Sequence, residues 1–166
     1  MPMQHSRRRF LVLAAACGAL SGCGFHLQGR LPLPPSLTRV TIDAPERQSD
    51  FVAALRAGLL NAGAQVVASP GPGVARIHVE RDEILERVPT VSSRNIPTDY
   101  ELTHLLRVSV DDADGKSLMA SEELTLTRIY SFDERKLLAK EREKEQVLET
   151  LARDMSSLVL RRLTAL

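Results

Sequence analysis

The chain has no tryptophan, and aromatic residues make up only 4% of its 166 residues. Sites for sugars and single-stranded nucleic acid rely on stacked aromatic rings, so this composition argues against both classes of ligand. The 22 basic residues are balanced by 21 acidic ones, which argues against the basic field that favours nucleic acid. The apolar run near the N-terminus is also shorter than the ~20 residues of a transmembrane helix. The sequence therefore favours a globular domain that does not bind nucleic acid.

The N-terminus has the pattern of a secretory leader, in which three arginines at positions 7–9 precede an apolar run and small residues. We predict that residues 1–22 are a signal peptide that is removed. Leu20, Ser21, Gly22 and Cys23 resemble the lipobox of bacterial lipoproteins, which implies S-diacylglycerol and N-acyl chains on Cys23. The alternative for Cys23 is a buried free thiol. The three arginines leave export by the general or by the twin-arginine route open.

The chain that remains after the leader is the size of one ordinary domain. It has 144 residues and a net charge of −2, because 19 basic residues stand against 21 acidic ones. Cys17 leaves with the leader, so no internal disulfide is expected. Residues 23–36 are rich in glycine and proline and are predicted to form a flexible tether, and residues 37–166 a single domain.

Periodicity predicts both strands and helices in this domain. A first strand is expected from Leu37 to Ile42, and a helix then begins at a Ser49 or Asp50 cap and ends near Gly63. Residues 64–68 are a short strand-like run, longer strands are expected at 74–85, 100–110 and 117–130, and a long helix from about 133 to the end. Alternation of apolar and polar residues in the later strands fits a sheet with one covered face.

These elements predict an α/β two-layer sandwich. We expect a mixed sheet of about four strands with two helices packed on one face, in the order β-α-β-β-β-α. Residues 87–99 contain Pro89, Arg94 and Pro97 and are predicted to be the longest loop of the domain, a kind of segment that often carries function.

The residues give no support for catalysis. The histidines lack metal-binding spacing, and His104 is interpreted as a half-buried residue whose hydrogen bonds are satisfied. The glycines at positions 71 and 73 are not followed by the lysine and hydroxyl residue of a phosphate-binding loop. Asp114 and Gly115 fit a hairpin turn better than a calcium loop. We therefore predict that the protein is not an enzyme and needs no cofactor apart from its lipid.

Four basic residues are the strongest candidates for a binding function. They are Arg94 in the predicted loop, Arg128 on the last strand, and Lys136 and Lys140 near the start of the second helix. Guanidinium and ammonium groups pair with phosphates and keep their charge at physiological pH. If these residues lie close together in space, they form a site for anionic headgroups.

Several segments together carry a family resemblance. Residues 23–29 (CGFHLQG) resemble the mature start of LptE, the family of lipopolysaccharide-assembly lipoproteins. Segments later in the chain agree with that family in order and spacing, namely 100–102 (YEL), 128–132 (RIYSF), 138–140 (LAK) and 161–163 (RRL). Gln28 departs from the family, in which a basic residue is frequent at this position.

The resemblance implies a function. Members of this family lie at the outer membrane inside the β-barrel LptD and assist delivery of lipopolysaccharide to the cell surface. It implies lipid anchorage on the periplasmic side, and lipopolysaccharide contacts at Arg94 and Lys140, with Arg128 and Lys136 as weaker candidates. The alternative is an envelope lipoprotein that scaffolds or regulates another machine, such as peptidoglycan synthesis or barrel assembly.

Overall fold

A computed structural model of the chain describes residues 32–131 and 137–166. A short 3-10 helix at Pro35–Leu37 leads into the domain. Its strands are β1 (Arg39–Asp43), β2 (Gln65–Val67), β3 (Ala75–Val91), β4 (Pro97–Asp111) and β5 (Ser117–Ser131), and its helices are α1 (Asp50–Asn61) and α2 (Leu137–Leu163). The predicted leader, Cys23 and the first part of the predicted tether, up to residue 31, lie outside the described residues.

The strands form one mixed sheet in the order β2-β1-β3-β4-β5. Strand β1 pairs in parallel with β2 and β3, and the other neighbours are antiparallel. The predicted α/β sandwich is confirmed, but the sheet has five strands rather than about four. The run at residues 64–68 supplies the additional strand, β2, whose three residues are too few to show an alternating pattern.

Local signals in the sequence set the ends of α1 as predicted. Ser49 is the N-cap, and its hydroxyl accepts a hydrogen bond from the Val52 N–H at 3.2 Å. At the other end Gly63 has φ +94°, a conformation that other residues adopt at a cost. The N–H groups of Gly63 and Ala64 donate to Leu60 and Leu59, which satisfies two carbonyls of the last turn.

The core lies between the sheet and the two helices. Its fully buried side chains include Phe51, Leu55 and Leu59 of α1, Met155, Val159 and Leu163 of α2, and Ile77, Leu106, Val108 and Val110 of the sheet. A second, smaller cluster joins Leu102, Tyr130 and Leu151. There Tyr100 stacks on Tyr130 with ring centroids 5.4 Å apart. The apolar residues at helical spacing on α2 thus pack against both β4 and β5.

The prediction of a long loop at residues 87–99 is wrong. Strand β3 continues to Val91 and β4 begins at Pro97, so only residues 92–96 connect them. Pro89 interrupts the alternation that marks a strand in sequence, and a register shift between Arg87 and Thr90 accommodates it. Strand β1 pairs with β3 only at residues 75–78, so Pro89 lies where β3 borders a single neighbour among the described strands.

The turn between β4 and β5 follows its prediction. Gly115 has φ +81°, and the Asp112 carboxylate accepts hydrogen bonds from the N–H groups of Asp114 and Lys116. This hairpin fixes the register of the last two strands.

Neither α1 nor the described length of α2 is long and apolar enough to cross a membrane.

Candidate functional site

The long strands give the domain two distinct ends. The lower end holds the entry of the chain at residues 32–37 and the β4–β5 turn at 112–116. The upper end holds the β3–β4 hairpin at residues 92–96, the end of β5 and the start of α2. Strand β3 has 17 residues, and a rise of about 3.3 Å per residue makes it roughly 50 Å long. The two ends are thus separated by most of the length of the molecule.

Arg94 lies in the hairpin at the upper end and is exposed. The hairpin is held by hydrogen bonds from the Ser92 N–H to the Ile96 carbonyl (2.8 Å) and from the Asn95 N–H to the Ser92 carbonyl (2.9 Å). Asn95 adopts φ +59°, a left-handed conformation that asparagine tolerates better than most residues. The tip that carries Arg94 is therefore an ordered turn.

The structure describes the other three predicted residues to different extents. The backbone of Lys140 lies in the first turn of α2, at the same end of the sheet as Arg94, and its side chain is outside the described part. Lys136 lies wholly outside it. The Arg128 guanidinium is 2.6 Å from a carboxylate oxygen of Asp154, so its charge is already paired. The fold thus brings the backbones of Arg94 and Lys140 to one end and leaves Arg128 in an ion pair between β5 and α2.

The sheet face opposite the helices is balanced in charge and mostly polar, with Leu85 and Ile129 exposed among its polar residues. Arg107 pairs with Glu123 (2.7 Å) across β4 and β5, and Arg87 pairs with Glu101 across β3 and β4. The hydrogen bond from Arg87 lowers the pKa of Glu101, because it stabilises the carboxylate. Each of these guanidinium groups faces a carboxylate. This face therefore offers no concentrated positive charge to an anion.

A cleft of about 340 Å³ opens beside the start of α1 and contains a buried polar cluster. His104 is 1% exposed, and its Nε2 lies 2.7 Å from Asp82 Oδ1. Ser49 Oγ donates to the other oxygen of Asp82 at 2.6 Å. The His104 ring meets Phe51 edge-on, with ring centroids 5.8 Å apart. His104 is therefore fully buried rather than half-buried, and its hydrogen bonds are only partly satisfied. Its Nε2 is tied to the cap of α1 through Asp82, whereas its buried Nδ1 has no hydrogen-bond partner among the described residues.

Burial of Asp82 acts to raise its pKa, but hydrogen bonds from His104 and Ser49 outweigh this effect, and the pKa lies below its ordinary value. The carboxylate stands between the serine and the imidazole. Ser49 Oγ therefore donates to a carboxylate whose lowered pKa makes it a weak base, and not to the imidazole that would activate a catalytic nucleophile. The arrangement fixes α1 on the sheet and does not form a nucleophile–base pair.

Sequence reasoning missed Asp82 because of a β-bulge. The register between β3 and β4 shifts between Val79 and Arg81, which turns Asp82 toward the helices and opposite Leu106. Simple alternation from Ile77 would place position 82 on the opposite face. No signal in the sequence marks this bulge. Among the described residues, no three histidine, cysteine, aspartate or glutamate side chains are grouped so as to hold a metal ion.

Solved structures share this fold. The solution structure of an uncharacterized lipoprotein B from Nitrosomonas europaea is 26% identical, with a TM-score of 0.71, covering 86% of this chain and 91% of that one. Rare lipoprotein B from Shewanella oneidensis has a TM-score of 0.66 at 16% identity, covering 76% and 94%. A minor lipoprotein from Acinetobacter baumannii has a TM-score of 0.65 at 16% identity, covering 81% and 94%.

A search of curated proteins found no match to the sequence. The model of the family LptE, described as lipopolysaccharide-assembly, matches residues 37–163. This span runs from the last residue of the 3-10 helix to the last residue of α2 and contains every strand of the sheet. The chain belongs to the LptE family of lipopolysaccharide-assembly proteins.

Proposed function

We propose that this protein is an outer-membrane lipoprotein that partners an LptD-like β-barrel and binds lipopolysaccharide through the upper end of its domain. The observation that carries the proposal is that two cationic residues far apart in sequence, Arg94 and Lys140, have their backbones at the same end of the sheet. Membership of the lipopolysaccharide-assembly family supplies the class of ligand. The protein acts by contact and not by catalysis.

Attachment and binding are divided between the two ends of the domain. The tether to Cys23 would leave from the lower end, where the chain enters at residues 32–37. A headgroup bound near Arg94 would lie roughly 50 Å away along β3. This separation lets the acyl chains on Cys23 stay in the membrane while the upper end reaches a ligand held by the barrel. Two or three acyl chains hold a protein at a membrane far more firmly than one.

The polar sheet face supports the proposed fit within a barrel. The lumen of an outer-membrane barrel is polar, and charges buried against it must be paired. Arg87 with Glu101 and Arg107 with Glu123 are paired within the domain itself. A face of this kind can be enclosed by a polar wall without leaving a charge uncompensated.

Lipopolysaccharide binding is tested with the double variant Arg94→Ala, Lys140→Ala in the full chain. Charged hydrogen bonds to phosphate contribute about 1.5–3 kcal/mol each, so we expect affinity to fall at least about tenfold. A matched control, Arg47→Ala with Arg56→Ala, removes two exposed positive charges outside the upper end and should bind like the wild type. Equal loss in both double variants would mean that only overall charge matters, and unchanged binding by the first would reject the site.

Anchorage and partnership need separate measurements. Mass spectrometry of the protein from cells should show a mature N-terminus at Cys23 that carries acyl chains. Affinity purification from outer membranes should recover a large β-barrel protein. Recovery of a peptidoglycan synthase or an assembly factor instead would favour the scaffolding alternative.

A further inference from the structure

Strand β5 forms an open edge of the sheet. Its one neighbour among the described strands is β4, with which residues 122–131 pair in a single unbroken register. These residues include neither glycine nor proline. The backbone N–H and C=O groups on the outer side of such a strand can pair with another strand. The other open edges among the described strands are less suitable, because β2 has only three residues and the open side of β3 contains Pro89 and register shifts.

The sequence of this edge is nearly symmetric about Thr125. Residues 122–128 read EELTLTR, so leucines lie one step on either side of Thr125, and an acid and a base lie three steps away. An antiparallel partner runs in the opposite direction, so a copy of β5 that pairs about Thr125 places its Leu126 opposite Leu124. In the same register Glu122 lies opposite Arg128 of the copy. Apolar side chains then meet each other and opposite charges meet, and both kinds of cross-strand pair are favourable.

We infer that two copies of this chain associate by antiparallel pairing of their β5 strands, with Thr125 on the two-fold axis. The axis is perpendicular to the sheet, so the two five-stranded sheets become continuous and the helices of both copies lie on one face. Each copy covers the open edge of the other, which removes a template for aggregation. This inference goes beyond the proposed function and does not depend on lipopolysaccharide.

The charges on the helix side of β5 fit a second copy. Arg162 of α2 lies 3.0 Å from Glu122, and Arg128 lies 2.6 Å from Asp154. Across the proposed interface Glu122 of one copy meets Arg128 of the other, and the two ion pairs join into a row in which positive and negative groups alternate. All four side chains are at least 36% exposed, so each has room for a second partner. Exposed pairs contribute little energy each, but they favour this partner and this orientation.

The positions of the leucines select one register. Residues that lie opposite each other must point to the same face of the sheet, so the centre of the pairing falls on a residue and not between two. Centring on Leu124 would set Glu122 opposite Leu126, and centring on Leu126 would set Leu124 opposite Arg128. Both shifts place a charge against a leucine. The register centred on Thr125 avoids this and pairs two threonines on the opposite face.

Disulfide cross-linking of the full chain in cells tests this register. Directly opposite residues of antiparallel strands have Cα atoms about 4.5–5.5 Å apart, within the ~4.4–6.8 Å that a disulfide spans. Thr125→Cys should therefore give a disulfide-linked species of twice the mass of one chain. The matched control Thr127→Cys changes the same residue type on the same face, and both positions are exposed. In the proposed dimer the two copies of position 127 are four residue steps apart, roughly 13 Å, so this control should not cross-link.

A mixture of two variants tests the same register away from the axis. Glu123→Cys and Thr127→Cys, produced together with different tags, should cross-link with each other, because each position lies opposite the other in the proposed dimer. Neither variant should cross-link with itself. Links within each variant instead would indicate another register and overturn the inference.

The charge pairs between copies are tested by reversal. Arg128→Glu, added to Thr125→Cys, places like charges opposite each other and should remove most of the cross-link. Adding Glu122→Arg should restore it. The restored variant still lacks the attraction to Asp154 and Arg162 within each chain, so a recovered cross-link reports on contact between copies.

Three results of the first experiment would overturn the inference. They are no cross-link at position 125, an equally strong cross-link at position 127, and a cross-linked species whose mass is that of one copy joined to a different protein. The wild type, which contains Cys17 and Cys23, gives the background with which each variant is compared.

Discussion

The two halves of β3 belong to the same strand but differ in how deeply their side chains are buried. The lower half lies between β1 and β4, and its side chains Ala75, Ile77 and Val79 are no more than 3% exposed. Beyond the bulge at Glu80 the strand keeps β4 as its neighbour and exposes residues such as Ile84 and Val88 by more than 40%. The lower half is part of the core, whereas the upper half exposes apolar side chains that contribute less to folding.

The helices explain this difference. Ser49, the cap of α1, contacts Asp82, so α1 covers the sheet only up to that level. Above it α2 reaches across to β3 through Lys144, which pairs with Glu86. The hydrogen bond to Glu86 raises the pKa of Lys144, as expected for a stabilised ammonium group. Upper β3 is therefore covered by the side chains of one helix instead of two, which leaves more of its surface exposed.

The largest effect that tests this comparison is a change in core packing. Ile77→Ala should lower the free energy of unfolding by about 2–5 kcal/mol, because Ile77 is fully buried and the change leaves a cavity. Ile84→Ala should lower it by about 1 kcal/mol or less, since much of that side chain is already in water. Urea unfolding followed by circular dichroism measures both. Similar losses in the two variants would show that the upper half is also part of the core.

The polar cluster at the boundary of the two halves should give the next largest effect. Asp82→Ala removes the acceptor of the Ser49 hydroxyl and the partner of the buried His104 ring, and should cost about 1–3 kcal/mol in the free energy of unfolding. Glu83→Ala changes the neighbouring carboxylate, which pairs with Arg81 on the exposed face, and should have a smaller effect. If Glu83→Ala is the more harmful of the two, the cluster does not hold α1 on the sheet.

Acid should remove the contribution of Asp82. Its folded pKa lies below the ordinary value of 3.8, so the stabilisation is fully present above that value and is lost as the pH falls through the folded pKa. The difference in unfolding free energy between the wild type and Asp82→Asn should therefore shrink in acid. Unfolding measured at pH 7, 4 and 3 tests the direction of this change, and a difference that widens in acid would contradict it.

Sequence patterns predicted the parts of this domain in which local and tertiary preferences agree. The cap at Ser49, the stop at Gly63 and the turn at Gly115 are local signals, and the structure has all three. The extension of β3 past Pro89 depends on pairing with β4, which compensates for a break in alternation that local reasoning takes as the end of a strand. The strand character of residues 87–91 was missed for the same reason, since these residues were assigned to a loop.

Sequence patterns also predicted the candidate site only in part. Charge and position pointed to Arg94, and its place in an exposed hairpin agrees with that choice, although its contact with lipopolysaccharide stays a prediction. Arg128 was a weaker candidate in sequence, and charge alone did not reveal that it has a partner. Its partner, Asp154, is 26 residues away and on another element, so only the packing of α2 against β5 brings the two together.

The smallest expected effect concerns this ion pair and contrasts the upper half with the lower. Arg128 with Asp154 (2.6 Å) and Arg162 with Glu122 (3.0 Å) both join β5 to α2, and all four side chains are at least 36% exposed. Exposed pairs contribute about 0.2–1 kcal/mol, so double-mutant cycles should give small coupling energies of similar size at both places. A pair that already neutralises Arg128 should also make it a poor ligand for phosphate. Arg128→Ala should therefore leave lipopolysaccharide binding nearly unchanged in a direct binding assay, and a large loss would mean that lipopolysaccharide displaces Asp154 from Arg128.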